Sequence, residues 1–307
     1  MRSETFTFKD PEGWGIFVYK WLPDNGVKAR AVVEIVHGMC EHAARYNRFA
    51  EALTREGYLV YAQDLRAHGK TAGSIENLGY AGRDGFNQMV VDIKQLNDIL
   101  KKENPGLPVF LFGHSFGSFL SQAYVAQYGD TIKAVVLSGT AGKQSLLNLG
   151  IAIATIQMLF FGPKYKSKLL HTMTFKDYNN SFKPNRTKSD WLSRDQAEVD
   201  KYVNDPYCGT VSSAGFFYDL LRGLKYIHEE ETMKNIPKNL PVYLFSGTHD
   251  PVGNMGKGPS WLFNTYKKLG IEDLKLRLYE NARHETLNEI NRDEVTRDVI
   301  NWLNAHC

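Results

Sequence analysis

Five near-continuous apolar runs, interleaved with helix-period stripes, constrain this chain more than any other feature. The runs are Ala31–Val36, Leu59–Ala62, Val109–Phe112, Ala134–Leu137 and Val242–Phe245. A strand apolar on consecutive residues has to be covered on both faces, which is the condition of a parallel strand flanked by helices. The stripes between them are amphipathic. Tyr46, Phe49, Ala50 and Leu53 form the first, with Gly57 placed to cap it; Phe86, Val90, Ile93 and Leu100 form another, and Val295, Val299 and Trp302 the last. Thr5–Phe8 and Ile16–Trp21, separated by the turn Asp10-Pro11-Glu12-Gly13, read as an opening antiparallel hairpin. Leu274–Leu278 alternates apolar and charged residues, so one face meets water and the strand lies near a sheet edge. The fold class is α/β: a mostly parallel, doubly wound sheet.

The rhythm breaks between about residues 142 and 227, where helical patches occur without a buried strand. Lys164 to Asp190 carries seven basic and two acidic residues, a larger net charge than the +3 of all 307 residues. We read an insertion, dividing the chain into a first core part (1–142), an inserted, mainly helical cap (143–225) and a second core part (226–307). The overall charge is too balanced for a dedicated nucleic-acid binder. Cys40, Cys208 and Cys307 form neither a CxxC pair nor a disulfide framework, which favours a reducing compartment. The opening MRSETFTFKD lacks the apolar region of a secretory signal, and the uncharged stretch Gln144–Pro163 is broken by polar residues, so a cytoplasmic location is expected.

Gly113-His114-Ser115-Phe116-Gly117 follows the run Val109–Phe112 and precedes a helical segment. That is the setting of a nucleophile elbow, a sharp strand-to-helix turn that presents a serine hydroxyl. Gly113 and Gly117 are needed because side chains there would strike the neighbouring strand and helix. A serine needs a base and the base an orienting carboxylate, in the order Ser…Asp/Glu…His at strand ends. Asp250 follows Val242–Phe245, and His284 follows the alternating strand. Asp64 also ends a strand but precedes the serine, so a loop-structuring role is expected for it. His249 adjoins Asp250 too closely to fold back onto it, and His228 and His306 follow no strand. The oxyanion donors expected are the amides of Phe116 and Met39, with Gly38 bending the loop after Ala31–Val36. His284-Glu285-Thr286-Leu287-Asn288 lacks the second histidine of HExxH, and no phosphate-binding glycine loop occurs. Neither a metal nor a cofactor is expected.

His37-Gly38-Met39-Cys40-Glu41-His42-Ala43-Ala44-Arg45-Tyr46 resembles the HGxxEHxxRY signature of monoacylglycerol lipases and their bacterial lysophospholipase relatives. Asp64-Leu65-Arg66-Ala67-His68-Gly69 resembles their D-x-x-G-H-G loop, with Ala67 in place of glycine, and Gly113–Gly117 their GHSMG elbow, with Phe116 in place of Met. The resemblance covers most of the chain and is weakest over about 143–225. It implies the α/β-hydrolase fold with a cap, Ser115, Asp250 and His284 as the triad, and Met39 and Phe116 as oxyanion donors. It also implies a small-molecule ester substrate with an apolar acyl chain.

In the cap, Leu149, Ile153, Ile156 and Phe160 share a stripe of Asn148–Phe161, with further apolar residues around the cylinder. Such a helix is expected to bury most of its circumference, packed on the core, lining an acyl tunnel or touching lipid. Peripheral membrane contact through the cap, helped by its basic run, is one reading; a solvated face is the other. The function expected is a serine hydrolase of lipid-like carboxylic esters. A small-ester carboxylesterase or amidase, and a non-catalytic binding homologue, stay open beside it. Oligomeric state is not legible.

Overall fold

The computed structural model describes residues 1–307. In chain order the elements are β1 (Arg2–Lys9), β2 (Gly15–Leu22), β3 (Ala31–Val36), α1 (Asn47–Arg55), β4 (Tyr58–Gln63), α2 (Gly85–Glu103), β5 (Val109–His114), α3 (Phe116–Tyr128) and β6 (Ala134–Ser138). Then follow α4 (Leu147–Phe161), α5 (Lys168–Phe175), α6 (Gln196–Asn204), α7 (Ala214–Ile227) and α8 (Glu230–Lys234). β7 (Val242–Gly247), α9 (Lys257–Lys268), β8 (Leu274–Tyr279) and α10 (Arg292–Ala305) complete the chain. The eight strands form one sheet in the order β1-β2-β4-β3-β5-β6-β7-β8. β1 and β2 pair antiparallel, β2 joins β4 antiparallel, and every later pair is parallel. This is the mostly parallel, doubly wound sheet anticipated from the strand pattern, in the α/β-hydrolase architecture that the resemblance implies.

Each central strand buries both faces because its side chains alternate between two helical layers. On β5, Phe110 and Phe112 belong to the core layer that includes Phe49 of α1 and Val299 of α10, while Leu111 belongs to the opposite layer with residues of α2, α3 and α9. β8, with its alternating burial, is an edge strand as expected. Parallel pairing aligns the C-terminal ends of β3, β5, β6, β7 and β8, so the loops that follow them gather along one rim.

Between β6 and β7 the chain leaves the sheet and forms helices; one isolated bridge, Lys166 to Ser213, is the only β pairing there. α4 departs from expectation. Only Gly150 and Ala154 of the helix are buried. Those small residues let α4 lie close on α7, where a Cβ at Gly150 would stand 2.7 Å from Leu221 Cδ1. The rest of its apolar cylinder is uncovered, with Leu159 80%, Phe160 74% and Phe161 63% exposed. Hydrophobicity all round a helix signals burial only when a second surface exists to cover it, and this fold supplies one face. No helix is long and apolar enough to cross a membrane.

Candidate active site

β5 ends at His114 and α3 begins at Phe116, leaving Ser115 alone at the turn. Its φ of 52° and ψ of −119° fall outside the favoured regions for a side chain larger than glycine. Such strain persists only where the surroundings impose it, and here the flanking glycines show how. A Cβ at Gly117 would lie 2.1 Å from Val36 O, and one at Gly113 2.3 Å from Ser121 Oγ. The Ser115 N–H donates to Ser138 O at 2.8 Å, tying the turn to the end of β6. Between Val109 and Val125, Ser115 is the one residue that is not buried.

Asp250 and His284, on the loops after β7 and β8, come together. His284 Nδ1–H donates to Asp250 Oδ1 at 2.9 Å. Asp250 is fully buried, and the rest of its carboxylate is occupied: Ser246 Oγ donates to Oδ2 at 2.8 Å and Val252 N–H to Oδ1 at 2.9 Å. The proton on Nδ1 leaves Nε2 of the imidazole free to accept. Burial alone would lower the His284 pKa, but the Asp250 carboxylate, together with Glu285 and Glu41, raises the ring above the usual histidine value. The two loops are locked to one another. His249 N–H donates to Ala282 O, and Gly247 sits so close that a Cβ would come 1.9 Å from that oxygen. His249 itself is not part of the pair; its Nδ1 contacts Thr248 Oγ1. Ser115 and His284 line the same cavity, although no hydrogen bond joins the serine hydroxyl to the ring in this conformation.

The loop after β3 abuts the elbow: a Cβ at Gly38 would stand 3.2 Å from that of Ser115. Its peptide plane is set by His37. Leu65 N–H donates to His37 Nε2 at 3.0 Å, which places the ring proton on Nδ1, and Nδ1–H donates to Gly38 O at 2.8 Å. The Gly38 carbonyl and Met39 N–H belong to one rigid peptide unit, so holding the first orients the second. Burial keeps this imidazole well below its usual pKa and therefore neutral, as the tautomer requires. The Met39 N–H has no acceptor within the protein, and Phe116 is the first residue of α3, where N–H groups lack an intrahelical partner. Asp64 structures the neighbouring loop, accepting from Ala43 N–H and Lys70 N–H. Ala67, where the related loop carries glycine, adopts φ 72°; a methyl in that left-handed region costs about 1–2 kcal/mol.

Several further residues support these loops. Glu41 Oε1 accepts from Gly38 N–H at 2.6 Å and from Tyr46 Oη at 2.9 Å. Arg45 donates to Glu41 and, with both terminal nitrogens, to Glu285 at 2.7 Å. Arg45 thus joins the loop that carries Met39 to the one that carries His284. Glu41, Arg45 and Tyr46 stand in the HGxxEHxxRY string, which is the signal that could have found them; Glu285 has only its place after His284. Trp191, from the cap, packs against the His284 ring with centroids 5.1 Å apart and planes tilted by 36°, and nothing in its sequence context marks it.

Above Ser115 lies a cavity of about 380 Å³. Its inner wall is apolar (Phe119, Leu170, Phe217, Leu220, Leu224), and Gln144, Asp177 and Tyr178 add polar groups on the cap side. Eighteen of its 28 lining residues are hydrophobic, so a ligand entering it is largely desolvated.

The profile of the family Hydrolase_4, described as serine aminopeptidase, S33, matches residues 27–291. The chain is 29% identical over 305 residues to a monoacylglycerol lipase of Mycolicibacterium smegmatis, covering 99% of this chain and 98% of that one. It is 28% identical to the monoglyceride lipase of Mus musculus, covering 96% of this chain and 87% of that one. Among solved structures, a highly thermostable carboxyl esterase from Bacillus coagulans, in complex with glycerol, superposes with a TM-score of 0.91 at 28% identity, covering 100% and 99% of the two chains.

Proposed function

The chain belongs to the Hydrolase_4 (serine aminopeptidase, S33) family, a group of serine hydrolases on the α/β-hydrolase fold, and from that membership we propose that it hydrolyses carboxylic esters of the monoacylglycerol or lysophospholipid type. The observation that carries this reading is the buried His284–Asp250 pair beside the strained Ser115, at the floor of an apolar cavity. Ser115 Oγ attacks the ester carbonyl as His284 Nε2 takes its proton. Asp250 holds the tautomer and stabilises the imidazolium. The Met39 and Phe116 amides receive the negative charge that develops on the carbonyl oxygen. His284 then protonates the leaving alcohol, and water repeats the cycle on the acyl-enzyme. The apolar wall favours the acyl chain by about 0.8 kcal/mol for each methylene it buries.

The uncovered face of α4 supports a lipid surface as the place where substrate is met. Leu159, Phe160 and Phe161 are exposed, and the exposed Lys164 and Lys168 follow them closely in the chain, an apolar face with cations next to it in sequence. The names of the relatives in Mycolicibacterium smegmatis and Mus musculus agree with a monoacylglycerol substrate. A second reading, a carboxylesterase for short esters, is favoured by the likeness to the Bacillus coagulans enzyme. Hydrolysis of a p-nitrophenyl ester series beside 1-oleoylglycerol and lysophosphatidylcholine separates the two. The lipid reading expects kcat/KM to climb with chain length beyond butyrate and one of the two lipids to be turned over. A maximum at acetate or butyrate with neither lipid cleaved contradicts it.

A further inference from the structure

Away from the serine, His42, Asp205 and Cys208 bring one ligand atom each to a common point, all within 4.8 Å of one another. We infer that these three side chains form a site for a borderline-soft divalent cation such as Zn²⁺, joining the core to the cap. His42 comes from the loop after β3. Asp205 and Cys208 come from the tight turn between α6 and α7, closed by Cys208 N–H donating to Asp205 O at 3.0 Å. More than 160 residues separate the first ligand from the other two, so no sequence motif announces the group.

The ligands are held in place before any ion arrives. Asp205 Oδ1 accepts from Tyr207 N–H at 2.8 Å, which turns Oδ2 toward His42 Nε2 at 2.9 Å. The segment that follows Cys208 is pinned to the core by Gly209 N–H donating to Cys40 O at 2.9 Å and by Cys40 Sγ donating to Thr210 O at 3.1 Å. Zinc binds nitrogen and oxygen at about 2.0–2.2 Å and sulfur at about 2.3 Å, so ligand atoms around it stand about 3.3–3.8 Å apart. Side-chain shifts of about 1 Å reach that arrangement.

Charge and access also suit a cation. Thiolate and carboxylate together balance a divalent ion, and a neutral imidazole completes an electroneutral centre in a half-buried place. Arg45, the nearest fixed cation, is already paired with Glu41 and Glu285. The Asp205 side chain keeps 29% of its surface exposed, leaving an entry path and room for a water as fourth ligand. Cysteine ligates as the thiolate, so a bound metal displaces the thiol proton and affinity rises with pH. Since His42 follows Glu41, which holds Gly38, the ion clamps the cap turn to the loop that carries Met39.

The test is cobalt titration of the full chain with Cys307→Ser, because Cys307 follows His306, itself 2.9 Å from Asp273, and could capture metal separately. The expected result is one equivalent of Co²⁺ bound with a near-ultraviolet thiolate-to-cobalt band. Adding Cys208→Ser abolishes the band, and His42→Gln weakens binding at least tenfold, with turnover of a soluble ester by the metal-free Cys208→Ser protein unchanged. No thiolate band in the folded Cys307→Ser protein, or a band that survives Cys208→Ser, overturns the site.

Discussion

The loops around Ser115 and the outer face of α4 are opposite solutions to the same problem of surface. In the loops, polar groups are buried and nearly all partnered: Asp250 spends its oxygens on His284, Ser246 and Val252, and Glu41 and Glu285 share Arg45. On α4, large apolar groups lie open to solvent. Burying charge is expensive unless every group finds its partner, while exposing a contiguous apolar patch marks a surface used for contact. Under the proposed function, the first region is shaped by the reaction and the second by how substrate arrives. If so, each can be damaged without the other.

The largest effect expected is on the chemistry. Asp250→Asn keeps the shape but loses the charge that fixes the His284 tautomer, and kcat should fall by about a thousand- to ten-thousand-fold. The pH profile adds a sign. With Asp250 present the imidazole titrates above its ordinary value, and the rate rises as pH passes through that pKa and Nε2 becomes free. Without the carboxylate, burial dominates, so in the variant the acid limb should move to lower pH while the plateau drops. An unmoved limb would show that another group sets it.

Next comes the scaffold. Arg45→Ala leaves Glu41 and Glu285 facing each other in a buried space, at a cost of about 3–5 kcal/mol in stability. Urea unfolding measures it; a loss below about 1 kcal/mol would mean the network is no more than a surface ion pair. The smallest effect is expected at the cap. Leu159→Ser with Phe160→Ser should leave turnover of a soluble short ester unchanged and reduce hydrolysis of 1-oleoylglycerol in anionic vesicles by about tenfold. Equal loss on both substrates would assign α4 to folding instead of delivery.

What was legible in the sequence follows the same division. Strand positions came from runs such as Val109–Phe112 because burial on two faces erases alternation, and the fold followed. The proximity of Asp250 and His284 was readable because parallel strands carry their following loops to one rim. The support was harder to see. Glu285 and Trp191 act through contacts across 93 residues or more, as in the 2.7 Å bond from Glu285 N–H to Leu192 O, and no local spacing encodes them. α4 was misjudged because hydrophobicity all round a helix reports what it could bury, not what the rest of the fold provides to cover it.

A fluorophosphonate probe tests the central claim most directly, since it phosphonylates only a serine whose proton a neighbouring base removes. Intact mass spectrometry should show one adduct per chain, and peptide mapping should place it on Ser115, with none in Ser115→Ala and strongly slowed labelling in His284→Ala. Failure of the folded protein to label, or an adduct that persists in Ser115→Ala, would contradict the assignment of Ser115 as the nucleophile.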